Sequence, residues 1–477
     1  MGENDGRRKW LAFAVLSLGV LMIVLDVTIV NVALPSIKQD LGFGDASLAW
    51  VVNAYLLVFG GFLLLGGRLG DLYGYRKLFL IGIVIFTAAS LACGLSNSQL
   101  FLVSARIIQG LGGSLVSAVG FSLVMTMFTG AAERARAMGF FGFIAAGGGS
   151  IGVLLGGTLT SILNWHWIFF VNVPIGIAVL FLGRMLLPEG SGESAHRHLD
   201  IYGAVTITAA LMLAIYSIIN GNQAGWASLQ TIGLLAGSAV LAGLFVYIEK
   251  RSKAPLMPLH IFRLRNLATA NLVAVLWAAG MFAWFFLSAL YLQLVLGYSA
   301  LQVGLAFLPA NLIMAAFSIG ISARLVMRFG IRTPLAFGLS LAVVGLALFA
   351  RAPVNGSLLF DVIPSMVLLG IGAGMAFNPM LLAAMNDVKP HESGLASGIV
   401  NTSFMMGGAL GLAVLASLAA LQTNSVLASG VGTVSALNSG YHVAFLVGAF
   451  LAAIAAIVSF LVLKVEFNPQ HAAYQMH

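Results

Sequence analysis

The sequence predicts an all-α membrane protein of fourteen transmembrane helices, arranged as two six-helix halves with a two-helix insert between them. Three observations predict it: the composition, a series of apolar runs with one-sided basic charge, and an internal repeat. Of 477 residues, 60% are hydrophobic and only 8% are charged, with a mean hydropathy of +1.03. A soluble domain carries roughly 25% charged residues. So few charges cannot cover a globule of this size, which excludes a soluble enzyme, a disordered chain and a nucleic-acid binder. The net charge of +8 is small in origin, from 23 basic and 15 acidic residues, so its placement matters more than its sum. The single cysteine, Cys93, cannot form an internal disulfide.

Apolar runs of roughly 20 residues give the spans in order. Their cores fall at 11–35, 48–67, 78–95, 100–127, 137–160, 166–187, 201–219, 229–248, 267–294, 301–323, 334–350, 360–384, 395–421 and 441–463. The first follows Arg7-Arg8-Lys9, is too long for a signal peptide and contains Asp26 and Asn31, so it reads as a retained helix. With the N-terminus inside, Lys38 and Arg351 fall outside, Arg106 falls within a span, and the rest of the 23 basic residues fall inside. That asymmetry satisfies the positive-inside rule and predicts both termini in the cytoplasm of a cell membrane. Omitting both 201–219 and 229–248 preserves the parity, so charge alone also allows twelve spans. Polar stretches Pro188–Asp200 and Lys250–Asn266 bracket those two. The expected division is therefore a bundle at 1–188, an insert at 189–266 and a second bundle at 267–477.

The halves repeat. Gly67-Arg68-Leu69-Gly70-Asp71-Leu72-Tyr73-Gly74-Tyr75-Arg76 follows span 2, and Ala323-Arg324-Leu325-Val326-Met327-Arg328-Phe329-Gly330-Ile331-Arg332 follows span 10. Gly110-Leu111-Gly112-Gly113 in span 4 is matched by Gly370-Ile371-Gly372-Ala373-Gly374 in span 12. Parallel six-helix repeats are typical of secondary transporters. Met327 replaces Asp71 and Met366 replaces Arg106, so ion coupling is expected in the first half.

Asp26 alone among the acids lies well inside a span. A charge near mid-bilayer costs about 2.5–3.5 kcal/mol on insertion scales, which marks it as a functional candidate. At 1.5 Å per residue it lies about 8 Å from the outer face, and Arg106 enters from that face to about 9 Å. The two are expected to share a polar site. Three readings stand: Asp26 binds and releases a proton, it forms a static pair joining spans 1 and 4, or it caps a kink near Asn31 and Pro35.

Gly148, Gly152, Gly156 and Gly157 line span 5 at a spacing that permits close helix approach, for tight packing or for sliding. No Gly-Lys-Ser/Thr follows a glycine loop, so ATP-driven transport is not expected, and His391-Glu392 lacks the second histidine of a zinc helix. Span 9 carries Trp277, Phe282, Trp284, Phe285, Phe286 and Tyr291. With Asn31, Tyr55, Gln109, Asn311, Asn378 and Asn401 they are candidates to line a cavity for lipophilic ligands, cationic ones among them. Lipid-facing aromatics and interhelical hydrogen bonds would produce the same pattern.

These residues carry a resemblance. Leu25 to Pro35 closely resembles the first-helix motif of the fourteen-span drug:proton antiporters of the major facilitator superfamily, the EmrB/QacA type. Gly67 to Lys77 is similar to that superfamily's loop 2–3 motif, Arg106 to Gly110 to its fourth-helix motif, and Trp165 to Gly176 to the branch's start of span 6. The resemblance covers essentially the whole chain. It implies the major facilitator fold with fourteen spans, proton coupling through Asp26 and Arg106, and a conformational latch of Gly67, Arg68, Asp71, Gly74 and Arg76. It implies no cofactor, the proton gradient serving as energy source. The span 5 motif is met at Gly148, Gly152, Gly156 and Gly157, but Val153 stands in place of its proline, which loosens the tie to exchange rather than co-transport. Phe404-Met405 stands where many relatives have Arg-Gln, and the second half offers no acid for dications.

The expected function is proton-coupled export of amphipathic small molecules, multidrug efflux by alternating access. Export of one endogenous metabolite, antibiotic or lipid is the alternative, and a non-transport sensor or scaffold is the second. The expected partners are lipophilic substrates, protons and the bilayer, with neither nucleic acid nor an obligate protein partner. No nucleophile, metal or cofactor constellation supports an enzyme.

Overall fold

In a computed structural model, residues 3–128, 131–188, 200–252, 255–258, 262–388 and 393–465 are described. His391 and Glu392 lie outside them, as does the Asp71 side chain. Among the described residues every regular element is helical. The helices are α1 (Glu3–Leu41), α2 (Trp50–Tyr73), α3 (Tyr75–Gly94), α4 (Gln99–Met127) and α5 (Ala131–Ile162). After them come α6 (Trp167–Leu186), α7 (Ile201–Ala224), α8 (Leu229–Arg251) and α9 (Arg265–Val295). The last five are α10 (300–329), α11 (Arg332–Phe349), α12 (Leu358–Met385), α13 (Ser393–Ala428) and α14 (Thr433–Val462).

Twelve helices among the described residues are long and apolar enough to cross a bilayer. They include α7 and α8, the pair that charge parity alone left open. The other two spans, α5 and α10, carry shorter apolar stretches, Ile151–Ile162 and Ala300–Ala316. In α10 the apolar run ends in a wide turn, Phe317–Ile321, before the amphipathic Ser322–Phe329. Side chains stop the helix ends where composition says they should. Asp200 caps α7 by accepting the Gly203 N–H (2.7 Å), and Ser299 and Gln302 form a reciprocal cap on α10.

The repeat seen in the sequence is a repeat in space. In the first half α1 packs on α5 and α6, α2 on α4, and α3 on α4 and α6. In the second half α9 packs on α13 and α14, α10 on α12, and α11 on α12 and α14. Glycines set the close approaches at matching places. A side chain at Gly110 would strike the Tyr55 carbonyl on α2, and one at Gly370 would strike the Ala310 carbonyl on α10. Gly112 presses on Gly82 and Phe86 of α3, and Gly372 on Gly338 and Ala342 of α11. Gly74 and Gly330 both adopt positive φ, +91° and +74°, where the chain turns between consecutive helices.

The halves meet chiefly through two crossed contacts, α2 on α13 and α5 on α10. The α7–α8 pair sits to one side: α7 touches α2 and α13, and α8 leans chiefly on α7 with an exposed apolar outer face. At one end the halves are tied by polar links. The Gln293 amide donates to the Val32 carbonyl (3.0 Å), and the Leu301 N–H donates to the Ser161 hydroxyl (3.1 Å).

Candidate functional site

Asp26 and Arg106, 80 residues apart in sequence, share one sealed site. Asp26 is 0% exposed and Arg106 is 1% exposed. Arg106 Nη1 donates to Asp26 Oδ2 at 2.5 Å, and its Nε donates to the Val51 carbonyl on α2 at 2.9 Å. Gln109, one turn further along α4, donates through Nε2 to Asp26 Oδ1 (2.7 Å) and accepts from Arg106 through Oε1 (2.7 Å). The guanidinium also lies 4.4 Å from the centre of the Tyr55 ring, which stacks on Phe59. A charge that cannot reach water is thus met by an opposite charge, amide dipoles and an aromatic face.

Three further groups complete the cluster. Asn172 Nδ2, on α6, donates to Asp26 Oδ1 (3.2 Å) and to the Ser90 hydroxyl (3.0 Å). Ser90, on α3, accepts from Gln109 as well (3.1 Å) and donates to the Phe169 carbonyl (3.0 Å). The Cys93 thiol lies 3.6 Å from Gln109 Oε1. Sequence reasoning assigned no role to Asn172, Ser90 or Cys93. Asn172 carried a signal, an amide inside an apolar helix, whereas a lone serine and a lone cysteine carried none. The kink-cap reading of Asp26 fails: α1 runs on through Pro35, and the carboxylate is bonded by other helices.

The span 5 glycines hold α5 against the helix that carries Asp26. Gly148 faces Leu21 and Val24, Gly152 faces Thr28 and Leu25, and Gly156 faces Ile29 and Val32, all on α1. Gly157 instead faces Ala300 and Leu301 at the start of α10. Val153 is buried, and its carbonyl lies under Gly304 of α10.

The loop 2–3 residues cluster at the α2–α3 turn. Gly74 makes the turn, and Arg76 donates to the Arg184 carbonyl at the end of α6. Its counterpart Arg332 lies over the Phe460 ring of α14, 4.2 Å from its centre, a second match between the halves. Arg68 is exposed, and Gly67 has open space around it.

The candidate cavity residues divide. Tyr55 and Gln109 belong to the Asp26 cluster. Asn31 and Asn401 donate to carbonyls of their own helices, Val27 and Ser397, and Asn378 ties α12 to the Ser318 carbonyl of α10 (2.8 Å). Trp284 and Asn311 keep buried nitrogens without hydrogen-bond partners. Trp284, Phe285 and Phe307 form an aromatic group: Phe307 stacks on Phe285 with centres 5.6 Å apart and lies 6.1 Å from Trp284.

The family described as the Major Facilitator Superfamily matches residues 16–412. The puromycin resistance protein pur8 of Streptomyces alboniger is 36% identical over 457 residues, covering 94% of this chain and 90% of that protein. The cephamycin export protein CmcT of Amycolatopsis lactamdurans is 37% identical, covering 92% and 90%. The multidrug resistance protein Stp of Mycobacterium tuberculosis is 38% identical, covering 88% and 78%. Among solved structures, a D-xylose-proton symporter matches with a TM-score of 0.66 at 15% identity, covering 95% of this chain and 98% of that one. At that identity the likeness is one of fold.

Proposed function

The chain belongs to the Major Facilitator Superfamily, and from that premise we propose that it is a secondary active exporter, exchanging protons for lipophilic small molecules by alternating access. The observation that carries the reading is the sealed cluster around Asp26. As a carboxylate, Asp26 holds three donors, Arg106, Gln109 and Asn172, and through them joins α1 to α4 and α6. A proton on that carboxylate weakens all three bonds at once, because each donor then faces a neutral group. Proton uptake therefore loosens α1 within its half. Loss of the proton restores the contacts.

That local change acts on the contacts between halves. α1 lies on the glycine face of α5, and α5 is one of the helices that cross to the other half. The crossed contacts of α2 with α13 and α5 with α10 form the axis about which the halves rock. Gly67, Arg68, Asp71, Gly74 and Arg76 act as the latch on the cytoplasmic side, with both termini on that side of the cell membrane. The energy source is the proton gradient, and no cofactor enters.

The three relatives named for antibiotics or drugs support export of such compounds. Two of those names concern one compound each, which favours a second reading, export of a single antibiotic or metabolite. The deciding experiment measures efflux of ethidium and of puromycin from cells expressing wild type or Asp26→Asn, with and without a protonophore. Gradient-dependent efflux of both compounds, lost in the variant at equal expression, supports the proposal. Normal pumping by the variant refutes coupling at Asp26. Export of one compound and not the other favours the narrow exporter.

A further inference from the structure

Two of the buried polar groups without partners are N–H donors on facing elements of the second half. Trp284, on α9, is 1% exposed, and its indole N–H has no hydrogen-bond partner. Asn311, on α10, is also 1% exposed, and its amide nitrogen is likewise unpartnered. Buried donors in folded proteins are almost always bonded, and an indole N–H can only donate. Whatever completes these two groups must bring acceptors.

Their position is set by the faces of α10. Ala300, Leu301 and Gly304 lie against α5, and Ala310 and Met314 lie against glycines of α12. Leu305 and Leu312 are half exposed and mark the lipid side. Phe307 and Asn311 stand seven residues on from Ala300 and Gly304, so both continue the α5-facing stripe of α10, one turn apart. Phe307 in turn meets Phe285 and Trp284 from α9. Two helices of the second half thus present flat apolar rings beside two unsatisfied N–H donors, on the side of α10 turned toward the first half.

Among the described residues, no carboxylate is bonded to Trp284 or Asn311. Asp26 is already saturated by Arg106, Gln109 and Asn172. In the second half, Asp361 accepts the Ser357 N–H at the start of α12, and Asp387 accepts from Asn266 beyond its end. Neither lies in the middle of a span. A lipophilic cation would find aromatic faces there without a counter-charge, while its own N–H groups would compete with Trp284 and Asn311.

Resting on the export reading above, we infer that the preferred cargo is a neutral, flat aromatic compound carrying oxygen acceptors, such as a quinone or aryl ketone. Its rings lie among Trp284, Phe285 and Phe307, and its oxygens accept from Trp284 Nε1 and Asn311 Nδ2.

A matched pair of ligands tests this: 9,10-anthraquinone and anthracene share a ring frame and differ in the two carbonyls. Binding of each to the purified full chain in lipid nanodiscs is measured by equilibrium dialysis, for wild type, Trp284→Phe and Asn311→Leu. The expected result is tighter binding of the quinone by wild type. Each variant then lowers the quinone-to-anthracene binding ratio about three- to tenfold, the worth of one neutral hydrogen bond. Equal losses for both ligands, or none, overturn the inference. Ethidium efflux from the same cells separates the two readings. Ethidium exported by wild type, with no quinone preference, sinks the inference alone. If neither ethidium nor the quinone is exported, the export reading falls and takes this inference with it.

Discussion

Arg106 and Asp26 stand 2.5 Å apart, nitrogen to oxygen, in a part of the protein that water does not reach. Neither residue is stable there alone. Removing one partner of a buried pair leaves a bare charge and typically costs about 3–5 kcal/mol, whereas replacing both is often neutral. Arg106→Leu is therefore expected to lower the thermal midpoint of the detergent-solubilised protein sharply. Arg106→Leu with Asp26→Leu is expected to recover most of that loss while remaining inactive in transport. Size-exclusion profiles after heating check both. A double variant as unstable as the single one would show that the pair is not what balances the site.

Asn172 offers a test that spares the charges. Its amide gives Asp26 Oδ1 one of two donors. A hydrogen bond to a charged group is worth about 1.5–3 kcal/mol. Asn172→Ala is expected to fold, keep substrate binding and lose transport rate at a fixed gradient, as measured by proton-driven uptake into inverted vesicles. Full activity would remove Asn172 from the coupling network.

The two glycine groups make opposite predictions. A methyl at Gly156 would lie 2.7 Å from the Ile29 carbonyl and from the Val32 side chain, so Gly156→Ala must push α1 off α5. Overpacking of this kind costs about 1–3 kcal/mol, and reduced stability and transport are expected together. Gly67 has nothing within 4 Å, so Gly67→Ala is expected to leave stability intact. If transport falls in Gly67→Ala while the melting curve is unchanged, the space beside Gly67 is used in another conformation. That is what the latch assignment requires.

Much of this was legible in the sequence because membrane helices announce themselves by length and apolarity. The order of the apolar helices, the repeat at Arg68 and Arg324 and the depth match of Asp26 with Arg106 all follow from spacing and charge. The cluster around them was not legible. Ser90 is an ordinary serine on an apolar helix, and only the packing of α3 on α4 and α6 brings it to Gln109 and Asn172. The cavity candidates show the same limit. Asn31, Asn378 and Asn401 look alike in sequence to Asn311, yet their amide nitrogens meet backbone carbonyls, and that of Asn311 meets none. An amide in a span says that a hydrogen bond is needed, not whether the protein itself provides it.

The turn glycines give the last prediction. Gly74 and Gly330 hold φ of +91° and +74°, and they stand at equivalent turns of the two halves. An L-side chain there costs about 1–3 kcal/mol in strain. Gly74 is followed by Arg76, which fixes the end of α6, and Gly330 by Arg332, which covers a ring on α14. Strain at either turn should therefore destabilise the fold by similar amounts. The halves differ in chemistry, however, because Asp71 precedes Gly74 and Met327 precedes Gly330. Gly74→Ala is expected to impair transport beyond its stability loss, and Gly330→Ala only in proportion to it. Measuring ethidium efflux against melting midpoint for both variants separates the outcomes. Equal efflux at equal stability would mean that the latch is not confined to the first half.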